Sequence, residues 1–145
     1  MKHEGEWLLG ALGAAGAYLL AIMPERKHRA ERMKGIFYAH RGLHDLEAGV
    51  PENSMAAFAA AVEKGYGIEL DVQLTRDQIP VVFHDFTLKR VCSAEGRVKD
   101  YTFEELQQFS IEGTNQRIPE FADVLQLVNG AVPLLIENCC NSSNV

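Results

Sequence analysis

Apolar and polar positions change their period several times along this chain, and each change marks an element. Gly35-Ile36-Phe37-Tyr38-Ala39 is a short apolar run ending at His40, which predicts a first strand. A loop with Gly42, Gly49 and Pro51 follows. Met55, Phe58, Ala59 and Val62 then recur at helical spacing and predict one apolar helix face. Asn53 or Ser54 suits its N-cap, and Gly65 its C-terminal stop. From Gly67 to Val72 the period drops to two. Ile68, Leu70 and Val72 fall on one face of a second strand, Glu69 and Asp71 on the other.

Ile79 to Phe83 predicts a third strand ending at His84, with Pro80 tolerated near its start. Residues 86–101 show no period and predict an irregular excursion turning at Gly96. Thr102-Phe103-Glu104-Glu105 has the form of a capping box and opens a short helix through Leu106 and Phe109. Pro119 opens another, with Phe121, Val124, Leu125 and Val128 as its buried face and Gly130 as its end. Val132 to Ile136 predicts a fourth strand that delivers Glu137.

Strands and helices thus alternate, and the strands are apolar enough to be buried on both faces. That order predicts an α/β fold with a parallel sheet or barrel. Domain bounds follow from it: residues 1–24, 25–34, 35–137 and a polar tail at 138–145.

The first segment differs in kind. Trp7 to Met23 is a run of 17 residues without a charge. This is near the lower end of the roughly 17–25 residues a spanning helix needs. A signal peptide calls for a basic start, but Lys2 is set against Glu4 and Glu6, although Ala15-Gly16-Ala17 imitates a cleavage site. A buried soluble helix would sit oddly before the basic cluster Arg26, Lys27, Arg29, Arg32 and Lys34. A single-pass transmembrane anchor fits better. The positive cluster then places the body on the cytoplasmic side and near anionic head groups.

From Gly35 onward, eight Lys and Arg face sixteen Asp and Glu. Such a body does not favour nucleic acid as a partner. To handle any anionic substrate it needs a local positive centre, and a metal ion provides one. Cys92 stands alone, and the adjacent Cys139 and Cys140 match no common zinc spacing.

Four predicted strand ends carry chemistry: His40, Glu69 with Asp71, His84, and Glu137. Each alone reads as a loop histidine or a solvated acid. Their recurrence where a parallel barrel collects its active site changes that reading. Three carboxylates suit a hard divalent cation, Mg²⁺ or Ca²⁺. Two histidines suit acid–base work near neutral pH. Arg41 can hold a phosphate oxygen with its fork of donors. Asp85 reads as structural, orienting its neighbour or capping a turn.

His40-Arg41-Gly42 with Pro51-Glu52-Asn53-Ser54, Glu69-Leu70-Asp71 and His84-Asp85 together resemble the signature of the glycerophosphodiester phosphodiesterases. The resemblance covers Ile36 to Glu137. It implies the amino-terminal half of a TIM-type (β/α)8 barrel, which here would follow the transmembrane helix read from Trp7–Met23. It also implies metal-dependent hydrolysis of deacylated phospholipids to glycerol 3-phosphate and an alcohol, in lipid metabolism. By motif, His40 and His84 would be the catalytic pair, and Glu69, Asp71 and Glu137 the metal ligands. Arg41 would contact phosphate and Asn53 shape the site. The substrate's glycerol hydroxyl would attack phosphorus, and water would open the resulting cyclic phosphate.

Two departures from the family bear on activity. The family's usual Ile-Glu-x-Lys reads Ile-Glu-Asn-Cys here, with Cys139 in place of the lysine. Four predicted strands are also half of a barrel's eight. The expectation is that the 145-residue chain shows no turnover alone and that its open edges invite association. The alternatives are a non-catalytic membrane-tethered fragment, or a related barrel phospholipase acting on intact lipid.

The anchor has a direct check. The protein should remain in the membrane fraction after carbonate washing, and a reporter fused after Lys34 should report the cytoplasm. Release by high salt alone would exclude a spanning segment.

Overall fold

The computed structural model describes residues 34–138. The run Trp7–Met23, the basic cluster up to Arg32, and Cys139 with the rest of the tail lie outside those residues. Among the described residues, no helix is long and apolar enough to cross a membrane.

The elements run β1 (Tyr38–His40), α1 (Met55–Lys64), β2 (Gly67–Leu74), β3 (Pro80–Val82), α2 (Lys89–Cys92), a 3-10 turn (Val98–Asp100), α3 (Phe103–Leu106), α4 (Phe121–Val128) and β4 (Leu134–Asn138). Strand β2 is the centre of the sheet, and each of the other three strands pairs with it. β1 and β4 run parallel to it, with His40 opposite Glu69 and Glu137 opposite Asp71.

β3 runs antiparallel to β2, with Val72 opposite Val82. This corrects the expectation of a third parallel strand with His84 at its carboxyl end. The reason is the length of the connection. A parallel return needs a crossover of a dozen or more residues, and only Thr75 to Ile79 intervene. That segment is a tight turn, held by Thr75 Oγ1 donating to Asp77 Oδ1 at 2.6 Å and accepting from Ile79 N–H at 2.9 Å. Val72 pairs with both Val82 and Asn138, so these two lie on opposite edges of β2. β3 therefore continues along the edge that β1 leaves at His40.

Two apolar cores flank the sheet. In the first, Ala39, Ile68, Leu70 and Val82 pack with Phe58 and Ala61 of α1, Val124 and Val128 of α4, and Val132. The second joins Val81 and Phe83 to Leu88, Val91, Val98, Leu106, Ile111 and Ile118. β3 thus buries both its faces, and the segment after it has a core of its own, where the sequence predicts only an irregular excursion.

Each predicted helix face holds except at one position: Met55, Phe58 and Val62 of α1, and Phe121, Val124 and Val128 of α4, belong to or pack against the first core. In α1 the buried residues are Ala57, Phe58 and Ala61, while Ala59 is exposed. So many alanines leave little polar contrast to fix the phase of the face. In α4 Val124 and Val128 are buried and Leu125 is exposed. The caps follow the sequence more closely. Ser54 Oγ accepts from Ala57 N–H, and Gly65 ends α1 with φ of 70°. Thr102 and Glu105 form the expected capping box.

Gly42 shows how tightly the β1 loop lies on α1. Its φ is +82°, and an added Cβ would stand 2.8 Å from the Ala57 Cβ and 3.0 Å from the Ala57 carbonyl carbon. Left-handed backbone and this close approach both exclude a side chain. Gly42→Ala should therefore lower stability by about 1–3 kcal/mol, the usual cost of overpacking. Urea denaturation measures this, and an unchanged midpoint would contradict the packing described.

Candidate active site

Strand alternation sets Glu69, Asp71 and Gln73 in one row along β2, on the face opposite Ile68 and Leu70. Both carboxylates are buried, Glu69 at 9% and Asp71 at 1% exposure. Glu137, in register with Asp71 on β4, completes a group whose ligand oxygens all lie within 4.8 Å of one another. Three carboxylates this close repel unless a cation separates them. Their oxygens are the hard donors that Mg²⁺ or Ca²⁺ prefers, so the residues fit a divalent ion.

The loop after β1 supplies the wall beside this group. Arg41 and Asn53 both take left-handed backbone, with φ of 55° and 49°. Such a conformation is uncommon outside glycine, though asparagine tolerates it better than most residues. They brace each other, Asn53 N–H donating to the Arg41 carbonyl at 2.9 Å. The reward is convergence on the acids. Arg41 N–H donates to Glu69 Oε2 at 3.0 Å, and Asn53 Nδ2 donates to Asp71 Oδ2 at 3.3 Å. Arg41 Nε stands 3.7 Å from Asp71 Oδ2. Arg41 Nε and Asn53 Oδ1 are buried without a hydrogen-bond partner. A buried donor and a buried acceptor left in this way mark a place where an outside group can complete them.

The two histidines are held differently. His40 is largely exposed, with Nε2 4.0 Å from Glu69 Oε2. His84 has its Nδ1 2.7 Å from Asp85 Oδ1, so Asp85 orients its neighbour, one of the two roles the sequence offered. Arg90 grips Asp85 with two bonds, Nε to Oδ2 at 2.7 Å and Nη2 to Oδ1 at 2.8 Å. Its Nη2 also reaches Glu52 Oε1 at 2.6 Å. Glu52 in turn accepts from Arg41 Nη1 at 3.0 and 3.2 Å. The Arg90 hydrogen bonds draw the Asp85 pKa down to about 2, against the opposing pull of burial. Burial would raise Glu52, but Arg90 and Arg41 outweigh it and leave it below its ordinary value. The same contacts raise the Arg90 guanidinium.

The structure therefore gathers Glu69, Asp71, Glu137, Arg41 and Asn53 directly, with His40 at their edge. His84 joins through the chain Asp85, Arg90, Glu52 and Arg41. Three of these supporting residues go unnoticed in the sequence. Gln73 continues the Glu69–Asp71 alternation and lies on the same face. Its Nε2 donates to the carbonyls of Phe83, His84 and Asp85 at 2.8, 3.1 and 2.9 Å, which fixes the segment carrying His84. Glu52 sits inside the Pro-Glu-Asn-Ser motif without an assigned role. Arg90, in the short helix α2, gives no sequence signal beyond its charge. Cys92 is half-buried, and burial pushes its thiol up to about 11, which makes it a poor nucleophile.

Residues 40–141 match the Glycerophosphoryl diester phosphodiesterase family. The chain belongs to that family. A glycerophosphodiester phosphodiesterase of Caldanaerobacter subterraneus is 45% identical over 103 residues, spanning 66% of this chain and 41% of that protein. The crystal structure of a family member from Parabacteroides distasonis is 37% identical, with a TM-score of 0.60, over 70% of this chain and 37% of that one. An Oleispira antarctica phosphodiesterase, solved with its product sn-glycerol-3-phosphate, is 28% identical with a TM-score of 0.64, over 76% and 47% of the two chains. The chain thus spans less than half the length of each of these relatives. The family has a TIM-barrel fold, and β1, β2 and β4 are its parallel strands among the described residues.

The depressed carboxylates set an acid limit. Asp85 is ionised in the folded protein down to about 2 and in the unfolded chain only to 3.8. Its contribution is therefore complete above 3.8 and lost as pH falls through about 2. Glu52 acts in the same direction. Urea midpoints measured across this range should fall less steeply for Asp85→Asn than for the wild type. Parallel curves would show that the Arg90 contact does not hold Asp85 in solution.

Proposed function

We propose that this domain, with its barrel closed, hydrolyses glycerophosphodiesters to glycerol 3-phosphate and an alcohol, in the turnover of deacylated phospholipids. The observation that carries this reading is the buried Arg41 Nε, which makes an ion pair with Asp71 at 3.7 Å but no hydrogen bond, standing beside the Glu69–Asp71–Glu137 group. An anionic phosphodiester would supply an oxygen acceptor for the guanidinium, and a cation held by the acids would offset the charge of both the acids and the phosphate. The sn-glycerol-3-phosphate bound to the Oleispira relative is consistent with this substrate class.

Glu69, Asp71 and Glu137 would hold a divalent ion, Mg²⁺ or Ca²⁺. Bound there, it supplies positive charge to the phosphate oxygens as the transition state forms. The protein's own groups do the rest. Arg41 Nε donates to a phosphate oxygen and fixes the diester over the strand ends. Asn53 Oδ1 accepts from a substrate hydroxyl. Asp85 occupies Nδ1 of His84 and so presents Nε2 as the atom that gives or takes a proton. One imidazole accepts the proton of the attacking glycerol hydroxyl, and the other protonates the departing alkoxide. Water then opens the cyclic phosphate with the proton flow reversed. The uncharged run Trp7–Met23 would keep the domain at the cytoplasmic face of a membrane.

The test uses protein whose barrel is completed by the strands its relatives possess. Chelation should abolish hydrolysis of glycerophosphocholine, and Mg²⁺ or Ca²⁺ should restore it. His40→Ala and His84→Ala should each lower kcat by roughly 10²–10⁴, the range of positioned acid–base catalysis. The double variant should lose much less than the product of the two if they act as a unit. A leaving group of low pKa should partly rescue whichever variant lost the general acid. Full activity in excess chelator, or histidine variants within a factor of two of wild type, would refute the reading.

A further inference from the structure

Arg90 is half-exposed, and an ordinary surface ion pair there would contribute little. Its geometry is not that of an ordinary pair. One guanidinium makes two bonds to Asp85 and a third to Glu52, at 2.6 to 2.8 Å. The two acids belong to different parts of the site. Glu52 lies in the loop after β1 and accepts from Arg41. Asp85 lies on the arm after β3 and shares its Oδ1 between Arg90 Nη2 and His84 Nδ1. Both carboxylates are largely shielded, at 14% and 20% side-chain exposure.

We propose that Arg90 is a positioning residue that sets two groups at once: the His84 ring through Asp85, and the Arg41 fork through Glu52. It touches no reacting atom. A planar fork is needed for this, because a lysine ammonium cannot hold both oxygens of Asp85 and reach Glu52 in fixed directions. The inference rests on the proposed function for what His84 and Arg41 do, but its test does not depend on turnover.

The full 145-residue chain, labelled with ¹⁵N in histidine and arginine, provides two signals. The first is the tautomer of the neutral His84 ring, assigned by its loss in His84→Gln. With Asp85 held, the proton should reside on Nδ1. The second is hydrogen exchange at Arg41 Nε, assigned by its loss in Arg41→Lys. In Arg90→Gln the His84 proton should redistribute toward Nε2, and exchange at Arg41 Nε should quicken at least tenfold. Arg90→Lys keeps the charge and should show both effects to a lesser degree. A purely structural Arg90 would shift the denaturation midpoint and leave both signals in place. If Arg90→Gln does not fold, Arg90→Lys is decisive by itself. An unchanged His84 tautomer, or unchanged Arg41 exchange, in a folded variant would overturn the proposal. Absence of hydrolysis by the barrel-completed protein would count against the proposed function and leave this inference standing.

Discussion

Two carboxylates buried two residues apart on one strand form the central constraint of this molecule. Glu69 and Asp71 sit where hydration is poor, and an uncompensated buried ion costs several kcal/mol. The surrounding chain is arranged around that cost. The loop after β1 takes left-handed backbone at Arg41 and again at Asn53 so that an amide, a guanidinium and a carboxamide all face the acids. Gly42 lets the same loop lie against α1 at a distance no side chain would permit. What the protein leaves uncompensated, a cation and a phosphate can complete.

A second consequence is the alternation of charge across the site. From Asp71 the order runs to Arg41, Glu52, Arg90, Asp85 and His84, each contact joining opposite signs or a hydrogen-bonded pair. An extended chain of this type is stiff because moving one member disturbs its neighbours on both sides. It connects the β1 loop to the arm after β3, which no strand pairing among the described residues does.

Local features were legible in the sequence where chemistry and periodicity coincide. The Ile68–Leu70–Val72 face, the Ser54 cap, the Gly65 stop and the Thr102–Glu105 box are all as the residue pattern implies. The Glu69–Asp71–Glu137 group was legible because β2 and β4 are parallel and in register. The direction of β3 was misread, although five residues between two strands is itself the signal of a hairpin. In α1 the pattern places Met55, Phe58 and Val62 correctly and errs only among the alanines, where Ala57 and Ala61 rather than Ala59 are buried, because alanine gives no contrast between faces. Arg90 was missed because its function lies in distance rather than in sequence: its partner Glu52 is 38 positions away.

The hairpin of β2 and β3 bears on how the site is assembled. His84 is located by pairing between Val72 and Val82 and by the Gln73 carboxamide, whose partners lie only 10 to 12 residues along the chain. Contacts of such short span close small loops at low entropic cost. Glu137 depends on a far longer loop closing onto β2, at higher entropic cost. The backbone of the imidazole arm is thus set by contacts local in sequence, whereas the acid group is set by pairing between strands far apart in the chain.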